Sequence, residues 1–142
     1  MKKKYCIVII CLFLLFALSG CTGVPNTPGA STEEDTVKSI VYSFYSALSD
    51  GNWSKAQNYC VYGSDAYYVV SQFKNLSNTA HAMCSTVIMD FYVFVTDVSV
   101  VGNYAAADCQ VSVFITGCGS SDTQNQSGTM TLQKIGNSWK LY

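Results

Sequence analysis

The chain has 142 residues, with eight basic against nine acidic side chains, one histidine and 12 % charged residues in all. Three of its lysines are Lys2, Lys3 and Lys4, and the other five (Lys38, Lys55, Lys74, Lys134, Lys140) are scattered singly with no arginine beside them. That distribution excludes a nucleic-acid partner, because phosphate recognition needs clustered cations.

Behind the three lysines, Tyr5 to Leu18 carries no charge, the charged-then-apolar order of a secretory signal. Fourteen helical residues reach roughly 21 Å, short of a hydrocarbon core of roughly 30 Å, so a retained transmembrane anchor is the second choice. The stretch ends Leu18-Ser19-Gly20-Cys21, which resembles the lipobox of prokaryotic lipoproteins. The resemblance implies that residues 1–20 are a lipoprotein signal peptide, removed before Cys21, and that the Cys21 thiol carries the lipid. More than one acyl chain makes such an anchor stable. The chain would then sit on the outer face of the cytoplasmic membrane or on another envelope membrane. Residues 21–32 hold both prolines, glycine, serine and threonine, the composition of a flexible tether.

Cleavage after residue 20 leaves 142 less 20, or 122 residues, enough for one domain over 33–142 and too few for two. Five lysines against nine acids give that part a charge of −4. Its four cysteines, Cys60, Cys84, Cys109 and Cys118, form an even set in an exported chain and predict two disulfides. Three connectivities are open, and Cys60–Cys84 with Cys109–Cys118 is the expected one. With no C-x-x-C pair and His81 as the lone histidine, neither a metal nor a cofactor is expected.

Ser31-Thr32-Glu33-Glu34 has capping-box spacing, and Val37, Ile40, Val41, Phe44, Tyr45 and Leu48 follow at helical steps. Asp50-Gly51-Asn52 ends that helix, and Asn52 can cap a short second one through Ala56 and Cys60. Asp65 to Met83 keeps helical steps despite its Tyr67-Tyr68-Val69-Val70 run. Beyond it the β-branched and aromatic texture predicts four strands, Thr86–Val101, Tyr104–Thr116, Gly128–Ile135 and Ser138–Tyr142. Gly102-Asn103 and Gly136-Asn137 suit type II′ hairpins. Gly117 to Ser127 reads as an irregular loop stapled at its base by Cys118. The fold class is α+β, with N-terminal helices packed on a curved four-stranded antiparallel sheet.

Glu33-Glu34-x-x-Val37, Phe44-Tyr45-Ser46-Ala47-Leu48 and Asp50-Gly51-Asn52-Trp53-Ser54-Lys55-Ala56 resemble the opening of nuclear-transport-factor-2-like domains of the cystatin-like superfamily. Val100-Val101-Gly102-Asn103-Tyr104-Ala105 and Gly136-Asn137-Ser138-Trp139-Lys140-Leu141 resemble the strand turns and closing strand of small lipoproteins in that group, with Trp139 as a core anchor. Tyr62 to Ile88 matches neither. The resemblance implies a cone whose open end holds an apolar ligand, in a group that spans isomerases, cyclases, dehydratases and non-catalytic binding or dimerisation modules.

Enzymes of that shape use a pocket carboxylate or histidine with a tyrosine donor. Asp90, set in the apolar run Val87 to Val93, is the candidate base, and His81 is the other titratable candidate. Tyr42, Tyr45, Trp53, Tyr59, Tyr67, Tyr68, Phe91, Tyr92 and Phe94 read as core filling. No nucleophile elbow, phosphate loop or paired-carboxylate motif is present. The expectation is therefore a lipid-anchored, non-catalytic module that binds a small apolar ligand or an envelope protein. A small isomerase- or cyclase-like enzyme is the alternative, and a homodimer through the sheet is a further expectation.

Overall fold

A computed structural model describes residues 31–142, with side chains from Glu33 onward. The expected signal peptide, Cys21 and the expected tether up to residue 30 lie outside the described residues, whereas Ser31 and Thr32, expected in the tether, already belong to the first helix. Among the described residues three helices come first, α1 (Ser31–Ser49), α2 (Trp53–Asn58) and α3 (Asp65–Met83). Four strands follow, β1 (Ile88–Val101), β2 (Tyr104–Gly117), β3 (Ser120–Ile135) and β4 (Ser138–Leu141), in one antiparallel meander.

The helix boundaries follow from their caps. The Gly51 amide donates to Leu48 and the Asn52 amide to Ala47, at 3.0 and 2.9 Å, so α1 ends in a Schellman motif with Gly51 left-handed at φ +64°. Asn52 then accepts from the Lys55 amide at 3.1 Å and opens α2. Ser64 does the same for α3 through the Tyr67 amide.

Gly102 and Gly136 take positive φ while their asparagines do not, and each links strands paired to the last residue, as type II′ turns do. The third turn corrects the sequence reading. Gly117–Ser127 is not a loop, because Gly117 pairs with Ser120 and β3 runs on through the polar stretch beside β2. Cys118 and Gly119 both have positive φ, +48° and +73°, the type I′ geometry that reverses a hairpin in two residues.

The core lies between the helices and the inner face of the sheet. Val37, Val41, Leu48, Val70, Leu132 and Leu141 are fully buried there, with Trp139 beside them at 3 % exposure. β2 alternates, with Ala105, Ala107, Cys109 and Val113 inside. β1 changes phase at a bulge between Val95 and Asp97, so Phe91 and Val95 face in before it and Val98 after it.

Both ends of the sheet meet the helical layer. On β1, the Phe91 amide donates to Ser49 Oγ at 2.8 Å and the Val95 amide to the Tyr42 hydroxyl at 3.4 Å. On β4, Leu141 donates to Tyr59 and accepts from Val61, at 2.8 and 2.7 Å. β4 pairs with β3 only from Leu132 to Ile135, which leaves the earlier part of β3 beyond its reach.

Candidate functional site

That uncovered part of β3 borders a cavity of about 30 Å³ inside the cone. Phe44, Tyr45 and Leu48 of α1 and Val69 and Phe73 of α3 form one wall. Phe91, Cys109, Val111 and Val113 form the floor, and Gln126, Gly128, Thr129 and Met130 close the β3 side. Aromatic edges meet faces across it: Phe73 and Phe91 lie 5.2 Å apart at 83°, and Phe44 and Tyr45 5.3 Å apart at 78°. Such contacts fix the ring positions. The space suits about two water-sized groups, since one needs on the order of 10–15 Å³.

Few polar groups enter the cavity. Tyr45 is 7 % exposed, and burial, with the Cys109 thiol beside it, raises its hydroxyl well above the ordinary tyrosine range. Burial, with Asp108 next in the chain, pushes the Cys109 thiol up to about 11. Both groups keep their protons at neutral pH and neither serves there as a base; the Cys109 thiol donates to the Ala107 carbonyl at 3.4 Å, which leaves the Tyr45 hydroxyl as the donor facing the space. The Gln126 amide completes the polar side-chain lining, because the Thr129 hydroxyl donates instead to Asp108 Oδ1 on the outer face of the sheet, and no carboxylate, imidazole or ammonium enters.

The candidate base lies elsewhere. Asp90 precedes inward-facing Phe91 and pairs with exposed Phe114, which puts it on the outer face of the sheet with Tyr92 and Phe94. His81 is exposed on the last turn of α3. Neither lines the cavity, and the structure does not bring them together there. The aromatic residues divide in the same way: Tyr45 and Phe91 are core, whereas Tyr42, Tyr68, Tyr92 and Phe94 are exposed.

The disulfide pairing also differs from the expectation. Cys84 joins Cys118, tying the end of α3 to the β2–β3 turn, and Cys60 and Cys109 are buried thiols. The reason is positional: Cys109 points inward in mid-strand, and Cys60 is held where α2 meets β4. Burial pushes the Cys60 thiol up to about 12, against a smaller lowering by Lys140.

These thiols give a pH prediction. A thiol that ionises near 9 when unfolded but near 11 or 12 when folded leaves the native state holding more protons in that window. Stability should therefore fall as pH rises from about 9 towards 11. At pH 8, iodoacetamide should leave Cys60 and Cys109 unlabelled in the native protein and label both in denaturant, as read by peptide mass mapping. Native labelling at either site would contradict this burial.

No protein-family model matches the chain, and no curated protein does. Solved structures match its shape. A proposed dehydratase of the nuclear-transport-factor-2-like family from Streptomyces avermitilis superposes with a TM-score of 0.62 at 16 % identity, over 80 % of this chain and 94 % of that one. A ketosteroid isomerase-like protein from Erwinia carotovora atroseptica gives 0.58 at 13 %, over 78 % and 91 %. A nuclear-transport-factor-2-like protein with a cystatin-like fold from Novosphingobium aromaticivorans gives 0.61 at 12 %, over 99 % and 87 %. The fold is thus the cystatin-like α+β cone, and identities this low carry the fold alone.

Proposed function

We propose that this chain is a lipid-anchored module outside the cytoplasmic membrane that holds a small apolar molecule in its cone and performs no chemistry on it. The observation that carries the reading is the lining of the cavity, aromatic and aliphatic with one buried, protonated tyrosine hydroxyl as donor and no ionisable group poised near neutrality. A pocket of that kind recognises an apolar body bearing one acceptor oxygen, such as a carbonyl or ether, and disfavours ions. Met130 at the cavity wall has the flexible side chain that lets such a space widen around a guest. Anchoring rests on the sequence from Lys2 to Cys21.

Structural neighbours described as a proposed dehydratase and as isomerase-like keep the enzyme alternative in view. Proton abstraction beside a carbonyl needs a base within hydrogen-bond reach, and the cavity supplies only groups that hold their protons. Binding without turnover is therefore the better supported reading.

Gly128 provides the test. It lines the cavity, its φ is not positive, and a Cβ built there meets nothing within 4 Å. Gly128→Leu should occupy the space, at an overpacking cost of about 1–3 kcal/mol. Native mass spectrometry of the full chain, released from detergent in the gas phase, should show an extra mass that leaves on denaturation. Gly128→Leu should lose that mass. A wild-type chain that arrives bare would remove the ligand-binding reading.

A further inference from the structure

On the opposite side of α3 from the cavity wall, a second and wider hollow of about 290 Å³ lies between α2, α3 and β4. Ser54, Gln57, Asn58, Tyr62, Tyr67 and Lys140 line it. Its chemistry is the reverse of the cavity's, with amides, hydroxyls and one ammonium around two tyrosine rings.

Tyr62 stands out because it is 86 % exposed and yet held by a rigid frame. The Val61 amide donates to Leu141 at 2.7 Å, and the Ser64 amide closes a turn onto Val61 at 3.1 Å, with Gly63 at φ +76°. Tyr62 thus occupies the corner of a type II turn anchored to the sheet on one side and capping α3 on the other. Its ring meets Tyr67 at 5.1 Å and 61°, leaving an open aromatic corner. An exposed aromatic fixed in this way costs little further ordering when it meets a partner.

The polar groups are also set in place. Gln57 Nε2 donates to Ser71 Oγ at 3.0 Å, which orients its carbonyl oxygen, and the Lys140 ammonium donates to the Asn58 carbonyl with two further protons to give. No carboxylate lines the hollow, so it offers a cation no counter-charge, and its single ammonium is already engaged, so it is poorly equipped for a multiply charged anion.

A flat apolar ring face beside neutral hydrogen-bonding groups is the complement of a pyranose. Equatorial hydroxyls leave the axial C–H groups to lie on an aromatic face, while the rim hydroxyls exchange bonds with amides. We infer that this hollow binds one sugar unit of a neutral β-linked oligosaccharide, stacked on Tyr62 and hydrogen-bonded by Gln57, Asn58 and Lys140. An acetamido substituent suits it further, since the Gln57 carbonyl accepts from its N–H and the Asn58 side-chain amide donates to its carbonyl.

The probe is the β1,4-linked N-acetylglucosamine tetramer, titrated against full chain carrying isotope-labelled tyrosine in detergent micelles. The Tyr62 and Tyr67 ring signals should shift and saturate. Tyr62→Ala should weaken binding at least about tenfold, and Tyr62→Trp should retain it. Tyr92→Ala, on the outer face of the sheet, should leave it unchanged, as should Gly128→Leu, so the result stands apart from the fate of the cavity. No shift at about 10 mM sugar, or equal binding by Tyr62→Ala, would overturn the assignment.

Discussion

Trp139→Ala should lower the unfolding free energy by about 3–5 kcal/mol, the cost of deleting a large aromatic from a packed core. The ring is 3 % exposed on a strand of only four residues, so it and Leu141 supply most of the apolar surface that β4 brings to the fold. Lys134 Nζ sits 5.7 Å from the ring centroid and also pairs with Glu33 at the start of α1, so the indole is covered from the side of the first helix as well. Loss of the ring should release more than its own contacts, because Leu141 is what Tyr59 and Val61 bond to. Chemical denaturation of wild type, Trp139→Phe and Trp139→Ala reads this directly. The phenylalanine variant should recover more than half of the loss. A fall under about 1 kcal/mol would mean that β4 is an appendage and not a wall of the core.

Replacing Cys84 and Cys118 together by serine should cost about 3 kcal/mol and lower the melting temperature by roughly 10 °C or more. The bond closes a sequence separation of 34 residues, so its loss enlarges the freedom of the unfolded chain. The native contact around it would survive in part. Cys118 donates its amide to Thr86 Oγ1 at 3.3 Å, and a Cβ on Gly117 would stand 2.8 Å from Val87 Cγ2, so turn and loop are already in close contact. Hydrogen exchange should therefore quicken most over Ser120–Gln126 and least in α1. Equal melting of the oxidised protein and the double serine variant would show that packing alone holds the turn.

Where the residues alternate cleanly or carry a distinctive cap, the sequence was enough. Asn52, Gly51 and the two Gly-Asn turns stand where their chemistry placed them, and the helical steps of α3 prevailed over the strand preference of Tyr67 to Val70 because Val70 and Phe73 reach the core. The first half of β3 was hidden because its inward residues, Gln124 and Gln126, face the cone's opening and not the core, which removes the apolar period. The length of β2 was the available signal, since Val111, Val113 and Ile115 need a strand beside them. Cys-Gly is also an unusual type I′ pair. For Asp90 the difficulty was different: Phe91, Val93 and Val95 alternate with Tyr92 and Phe94, so both faces of β1 look apolar and only the packing chooses. Cys109 was readable in hindsight, because it shares a face with Ala105 and Ala107 and could not also reach a turn. Of the cavity, Tyr45 belonged to a visible helical stripe, whereas Gln126 and Gly128 carried no local sign of what they would face.

The bonds from Ser49 and Tyr42 to β1, and from Tyr59 and Val61 to β4, bear on behaviour in a crowd. A strand edge with free amides and carbonyls is a template on which another chain can add itself and then be copied. Here the helical layer occupies those groups at Phe91, Val95 and Leu141, and the exposed start of β3 is written in Ser, Thr, Asp, Asn and Gln. The helical layer thereby blocks strand addition at these points of β1 and β4 without spending a proline or a lysine on β1.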